Sequence, residues 1–400
     1  MADASKLIRT GSREASPAGQ IGFAGRRLAS IDAMRGFVMA IMLLDHVRET
    51  VFLYQQVGDP VDVSTTSPGL FFIRLLSSVC APAFVVLTGL SAWLYGQAHS
   101  KRETSFFLLK RGAFLIVLEL LVVGTAWTGV FPPEKFYLQV IWCIGICMIT
   151  LAMLIHLPRS VQLFIAIAFI AGHNLLDGIE VAVDSIFHIP WAILHQRDWF
   201  SLPGGLIART SYPVLPWIGV IVLGYVSGPL FAKDANSDWR RKVLLISGAA
   251  MLLGFVSIRM LNGYGDHSWA VHDSALVNVM GFLSLTKYPP SLLFLLSTLG
   301  VTALGLVYLE KTQAWRPVAA LAEFGSAPMF FYIAHLYILK TIYLLAVALF
   351  GTNKGEYFGF EYVWQVLLFC VALFYPLYWL TCRFAVFKRR RRDIRWLKYL

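Results

Sequence analysis

Long apolar runs separated by short polar ones govern the first reading of the chain. Stretches of about 20 apolar residues, enough to cross a hydrocarbon core as a helix, recur at 31–53, 69–95, 112–131, 136–157, 160–178, 212–231, 242–261, 290–309, 327–350 and 361–383. This pattern predicts an all-α fold, a polytopic membrane bundle of about ten transmembrane helices. Residues 1–27 are polar, basic and rich in Ser, Ala and Gly, and are expected to form a disordered cytoplasmic tail without the apolar core of a cleaved signal. The membrane domain is expected over 28–386, and a basic cytoplasmic tail over 387–400.

Composition agrees with the pattern. Of the 400 residues, 58% are hydrophobic and only 14% charged, which excludes an ordinary soluble domain. The net charge of +11 would suit nucleic acid, but the cations sit at the ends of apolar runs, where orientation signals belong. Membrane lipids are therefore the expected partner, and nucleic acid is not. Lys101, Arg102, Lys110, Arg111, Arg159, Lys233, Arg240, Arg241, Lys242, Lys311 and Arg316 fall on one side of a ten-span bundle, together with both tails. The other side has only scattered Lys135, Arg197, Arg209, Lys287 and Lys354. Both termini are thus expected in the cytoplasm. Cys80, Cys143, Cys147, Cys370 and Cys382 all lie in or beside spans, read as packing rather than as disulfides or a metal site; no metal is expected.

The first run carries more ionisable residues than packing needs: Asp32, Arg35, Asp45, His46, Arg48 and Glu49. Such groups are costly in lipid and so face a protein interior or a wet cavity. On a helix, Asp32, Arg35, Met39, Met42, His46 and Glu49 form one broad stripe. His46 is the sharpest candidate for chemistry, because imidazole is the side chain most readily suited to general base work near neutral pH. Asp45 and Glu49 are the carboxylates expected to orient it. The bland alternative is a histidine that hydrogen-bonds a neighbouring helix. Arg35 lies on nearly the same face, about 16 Å nearer the cytoplasm, and suits an anion such as phosphate; pairing with Asp32 or reaching the headgroups is the alternative.

Further polar residues punctuate later runs. His173, Asn174 and Asp177 lie at the end of the fifth, at a depth that makes them possible neighbours of His46. His335, with Tyr332 one turn before it, lies in the ninth, and Glu119 in the third needs a partner, for which Arg74 is a candidate. Two long loops, 177–211 and 262–289, are rich in His, Trp, Asp and Tyr, and read equally as binding lids or as interfacial half-helices. Gly224 and Gly228 form a GxxxG, a signal of close helix packing. No Walker, HExxH, GxSxG or CxxC motif occurs, so ATP hydrolysis, zinc protease, serine hydrolase and thioredoxin-like chemistry have no motif behind them.

The stretch RLASIDAMRGFVMAIMLLDH resembles the first-helix signature of membrane acyltransferases. With SSVCAPAFVVLTGLSAWLYG, LQVIWCIGICMI, AGHNLLD, YPVLPWIGVIVLGY, LTKYPPSLLFLLSTLG and FGSAPMFFYIAHLYI in order, the chain resembles the bacterial branch of the heparan-alpha-glucosaminide N-acetyltransferase catalytic-domain family. The resemblance implies transfer of an acetyl or other acyl group from cytoplasmic acetyl-CoA, or another acyl-CoA, to a hydroxyl or amine of an extracytoplasmic, glycan-type acceptor. It implies a multi-pass protein of the bacterial inner membrane, with a homodimer as one assembly. On this reading His46 is the catalytic base, oriented by Asp45 or Glu49; Arg35 and Asp32 hold coenzyme A, with His335 and Tyr332 at its pantetheine arm or thioester. His173, Asn174 and Asp177 shape the acceptor site. The family's histidine in the first outer loop has no counterpart, since none occurs between Val47 and Ala98; His46 stands where those enzymes have an asparagine. The main alternative is a multi-helix transporter or flippase using the same polar residues as a substrate or proton path; a non-catalytic scaffold is the other.

Overall fold

The computed structural model describes residues 26–202, 204–391, 393, 394 and 397. Helix α1 (Arg26–Val51) is followed by α2 (Pro68–Ser77) and α3 (Cys80–Gly96), which together make one apolar stretch. Helix α4 (Lys101–Leu118) starts in a capping box, with Ser100 and Glu103 satisfying each other's backbone N–H, and continues through a π-helical turn (Glu119–Val123) into α5 (Gly124–Thr128). Strand β1 (Lys135–Leu138) leads into α6 (Val140–Leu154), and α7 (Arg159–Gly172) ends in a 3-10 turn (His173–Leu176). The next connection holds α8 (His188–Leu194), β2 (Trp199–Ser201) and β3 (Ile207–Thr210), before α9 (Leu215–Val226) and α10 (Ser237–Leu261). After α11 (Ala275–Leu283) come α12 (Leu292–Lys311), α13 (Arg316–Phe324), α14 (Pro328–Phe350) and α15 (Val363–Arg390).

Each of the ten expected runs contains helix, although 136–157 opens in strand β1 and 69–95 is divided between α2 and α3. Six helical stretches are long and apolar enough to cross a membrane: Pro68–Gly96, Arg159–Leu176, Ser237–Leu261, Leu292–Lys311, Pro328–Phe350 and Val363–Arg390. Val140–Leu154 and Leu215–Val226 are apolar but shorter, and α1 carries the ionisable stripe. Two details depart from the sequence expectation. The fold contains a small three-stranded sheet, ordered β1-β3-β2, with β1 parallel and β2 antiparallel to β3. Its strands are too short to stand out from the surrounding loops in a single sequence, and the sheet pairs Tyr137 with Arg209. Of the expected tails, 1–25 lies outside the described residues, whereas α15 continues to Arg390, so the tail expected from 387 begins as helix.

Small residues decide where helices cross. A Cβ on Gly36 of α1 would stand 2.0 Å from the Leu321 carbonyl oxygen, and one on Gly325 would stand 1.9 Å from that of Asp32, so the α1–α13 crossing is backbone against backbone. Gly224 of the GxxxG is pressed equally close to the Val86 backbone of α3, and Gly228 against the Trp93 ring. At the Arg35 end of the bundle α10 and α12 are clamped by a buried, two-pronged ion pair: Arg240 donates to Glu310 at 2.9 and 2.6 Å. The result is that α1, surrounded by α2, α3, α12, α13, α14 and α15, holds its ionisable stripe inside protein.

Candidate functional site

Two cavities approach one another along α1. The first, of about 270 Å³, is lined by His46, Asp45 and Glu49 from α1, Trp127 from α5, Tyr332 from α14, and residues from the loops at that end. The second, of about 300 Å³, is lined by Arg35, Ser91, Tyr95, Phe107, Arg111 and Lys388, among others. Both touch Val140 and Tyr332. Tyr332 therefore stands between a histidine-bearing chamber and a cationic one.

The histidine is held by a second histidine. His335 Nδ1 is 2.7 Å from the Phe331 carbonyl oxygen one turn back on α14. A carbonyl only accepts, so this nitrogen carries the proton, and Nε2 of the neutral ring is an acceptor. That Nε2 lies 2.6 Å from His46 Nδ1, which must then donate, and the two rings stack at 5.0 Å and 7°. His46 Nε2 is left as the lone-pair nitrogen of a residue in the cavity wall. The tautomer is thus set by a chain of two hydrogen bonds anchored on main chain, since the partner of one ring nitrogen fixes which nitrogen carries the proton.

Asp45 and Glu49 do something different from the orienting role expected of them. Neither hydrogen-bonds His46 among the described residues. Arg48, fully buried behind them, donates to Asp45 at 2.8 and 3.1 Å and to Glu49 at 3.2 Å. Leaving the guanidinium without those carboxylates would cost several kcal/mol, about 3–5 for a buried pair broken on one side. The carboxylates therefore fix α1's charge balance, and His335 supplies the imidazole's partner.

Trp127 completes this wall. Its ring packs edge-on against His46 at 5.4 Å, its carbonyl accepts from Lys340 Nζ at 3.0 Å, and its buried indole N–H faces the Tyr332 hydroxyl without a hydrogen bond of good geometry among the described residues. An indole N–H directed at a hydroxyl leaves that hydroxyl's own proton free to be donated elsewhere.

The remaining rim of the His46 chamber is cationic and aromatic. Arg197 stacks over Tyr288 at 4.9 Å and Arg209 over Trp199 at 5.3 Å, and the Nε of each is buried without a hydrogen-bond partner among the described residues. Burial and the nearby Arg197 together depress the Arg209 guanidinium. Lys287 and Arg74 close another side. Burial opposes the charge of Lys287, but Tyr288 and Asp45 beside it prevail and raise its pKa. These residues read in the sequence as scattered cations and aromatics; the short sheet and the two long loops bring them together.

At the other chamber, Arg35 is bound by Asp32 and by Ser91 Oγ, each at 2.5 Å. Arg35 thus pairs with Asp32, the alternative to an anion site, and it also lines a cavity shared with Arg111 and Lys388. Glu119, for which Arg74 was a candidate partner, instead accepts from the N–H groups of Ile141 and Trp142 at 3.1 and 3.2 Å, on the first turn of α6. That turn lacks a side-chain cap of its own, and its exposed dipole attracts the carboxylate. Arg74 pairs with Asp59 at 3.1 Å.

Asn174 and Asp177 line a separate cavity of about 270 Å³, with His195, Asp266 and His267, which meets the His46 chamber at Arg197. Asp177 accepts from Asn174 at 2.8 Å and pairs with His195 at 3.0 Å. His173 lines neither cavity; it is buried, with Nδ1 donating to the Phe169 carbonyl at 2.9 Å.

Comparison with known proteins fits this anatomy. No curated relative matches the chain. The family model described as heparan-alpha-glucosaminide N-acetyltransferase, catalytic, matches residues 27–268, more than half of the chain. The match takes in α1 with Arg35 and His46, and stops short of Lys287, Tyr332 and His335. The chain belongs to the heparan-alpha-glucosaminide N-acetyltransferase catalytic-domain family.

Proposed function

We propose that the protein is an integral membrane acyltransferase that moves an acetyl or other acyl group from cytoplasmic acyl-CoA to a hydroxyl or amine of an extracytoplasmic, glycan-type acceptor. The observation that carries this reading is the pair of chambers meeting at Tyr332 and Val140, one cationic and one containing a tautomer-fixed histidine. Arg35, Arg111 and Lys388 offer charge for the phosphates of coenzyme A. The acyl thioester would lie at Tyr332, within reach of both sides. Charges at the helix ends support a ten-span topology with both termini in the cytoplasm, and a bacterial inner-membrane location follows from the family resemblance.

In the reaction, the acceptor oxygen or nitrogen attacks the thioester carbonyl carbon while His46 Nε2 takes its proton. The bond to sulfur then breaks, and the thiolate leaves as coenzyme A thiol on receiving that proton. The Tyr332 hydroxyl, which the Trp127 N–H faces, is the group available to the carbonyl oxygen as it gains charge.

The test uses purified full-length protein in nanodiscs with acetyl-CoA labelled in the acetyl group. Thermal stabilisation by acetyl-CoA and label transfer to amino-sugar or polyol acceptors are expected; His46→Ala should lose the transfer and keep the stabilisation. Absence of binding together with proton-dependent uptake of a solute into vesicles would replace the enzyme with a transporter.

A further inference from the structure

The largest cavity described here is neither of the two chambers. It has a volume of about 550 Å³ and lies between α2, α10 and α12, with the end of α11. That is within the range of about 300–1,000 Å³ usual for small-molecule sites. Phe72, Leu76 and Val301 in its wall are 41%, 47% and 44% exposed, so the cavity is a groove open on the flank of the bundle, on helices apolar enough to face lipid.

Its interior is more apolar than its residue types suggest. The four hydroxyls lining it all donate to main-chain carbonyls: Ser78 to Arg74 and Ser284 to Val61, both at 2.9 Å, and Ser297 and Thr298 to Phe294 at 2.9 and 2.6 Å. The charged residues left in the wall are Arg74 and Lys287, and these two also line the His46 chamber. Lys287 Nζ is 4.0 Å from Asp45 Oδ2, beyond hydrogen-bonding range, so its donors are not used on that carboxylate. An apolar groove open to the membrane therefore ends in two cations at the threshold of the histidine.

We infer that this groove binds a membrane lipid bearing a phosphate, with the apolar chain between α2 and α12, the phosphate at Arg74 and Lys287, and the group beyond the phosphate directed into the His46 chamber. The acceptor on this account is lipid-linked and arrives from the plane of the membrane. A free glycan has no chain to fill such a groove, and a neutral lipid has no anion for Lys287 or for the guanidinium nitrogens that Arg74 does not spend on Asp59. The inference rests on the acyltransferase reading for what happens at His46, but not for the binding itself.

Dodecyl phosphate is a suitable probe, with dodecanol and inorganic phosphate as its two halves, measured by native mass spectrometry on the full-length protein. Dodecyl phosphate should bind at least about tenfold more tightly than either half. Val301→Trp and Leu76→Trp, which fill the groove from its exposed wall, should weaken it by a similar factor while acetyl-CoA still stabilises the protein, a control for folding. Lys287→Met should erase the preference for dodecyl phosphate over dodecanol. Equal binding of dodecanol and dodecyl phosphate to wild type, or unchanged binding to both tryptophan variants, overturns the inference. Retained, tryptophan-sensitive lipid binding in a protein that never binds acetyl-CoA overturns the acyltransferase reading and leaves the groove assignment standing.

Discussion

His46 Nδ1 and His335 Nε2, 289 positions apart in the chain, are 2.6 Å apart in the fold. Because His335 is itself locked to the Phe331 carbonyl, the pair has a direction: protons point from His46 towards α14, and the lone pair of His46 remains on the cavity side. His335→Phe keeps a ring in the stack but removes the acceptor. It is expected to lower kcat by about 10²–10⁴, the usual worth of a positioned base, while KM for acetyl-CoA stays near wild type. Steady-state kinetics across pH would check this, with the variant losing the tautomer preference and hence shifting its pH profile. A kcat within threefold of wild type and an unmoved profile would leave His335 with a packing role alone.

Trp127 offers the second measurement. Its buried indole N–H faces the Tyr332 hydroxyl, beside His46. Trp127→Phe preserves the edge contact and deletes the donor. If that donor orients the Tyr332 hydroxyl toward the thioester oxygen as charge develops, kcat should fall by about 10²–10³ with little change in acetyl-CoA binding. An equal loss in binding and in turnover would instead mark the indole as a contact to the bound substrate.

At the opposite chamber, Arg35 tests the phosphate assignment. A charge-assisted hydrogen bond is worth about 1.5–3 kcal/mol, so Arg35→Met should raise KM for acetyl-CoA roughly 10–100-fold. A short acetyl thioester of cysteamine, which lacks every phosphate, should be used equally well by variant and wild type. If both donors suffer alike, Arg35 acts through its bonds to Asp32 and Ser91, by holding α1 against α3.

How much of this was legible beforehand depends on the range of the contacts. The helices, the shared stripe of Arg35 and His46 on α1 and the close packing at Gly224 follow from local periodicity and the cost of charge in lipid, both readable in one chain. His335 was visible as a polar residue in an apolar run, but its bond to His46 depends on how α14 lies against α1. Arg197, Arg209 and Lys287 read as scattered charges, because the sheet register and loop folding that gather them leave no local pattern. Arg240 read as an orientation signal, yet it is buried against Glu310. Positive charge at a helix end has two uses, and sequence position alone does not separate them.

The second long loop supplies a prediction about acid. Asp266 is wholly buried and accepts from Ser291 Oγ at 2.5 Å, from Thr286 Oγ1 at 2.7 Å and backbone N at 3.0 Å, and from His267 Nδ1 at 2.6 Å. Burial alone would raise its pKa, but the hydrogen bonds from His267, Ser291 and Thr286 prevail and hold it below the ordinary carboxylate value. A depressed folded-state pKa means that the stabilising contribution is complete above the unfolded value of about 4 and is lost as pH falls through the folded value. Ser291 also caps α12, accepting from Phe294 N at 3.0 Å, so the same carboxylate ties the loop to the helix that carries the groove wall. Asp266→Asn should therefore cost about 1.5–3 kcal/mol near neutral pH. The gap between variant and wild type should narrow as the medium is acidified past pH ~4. Hydrogen exchange of residues 262–291 at two pH values would read it directly: a gap that stays constant with pH would show that the carboxylate's charge contributes nothing to holding the loop.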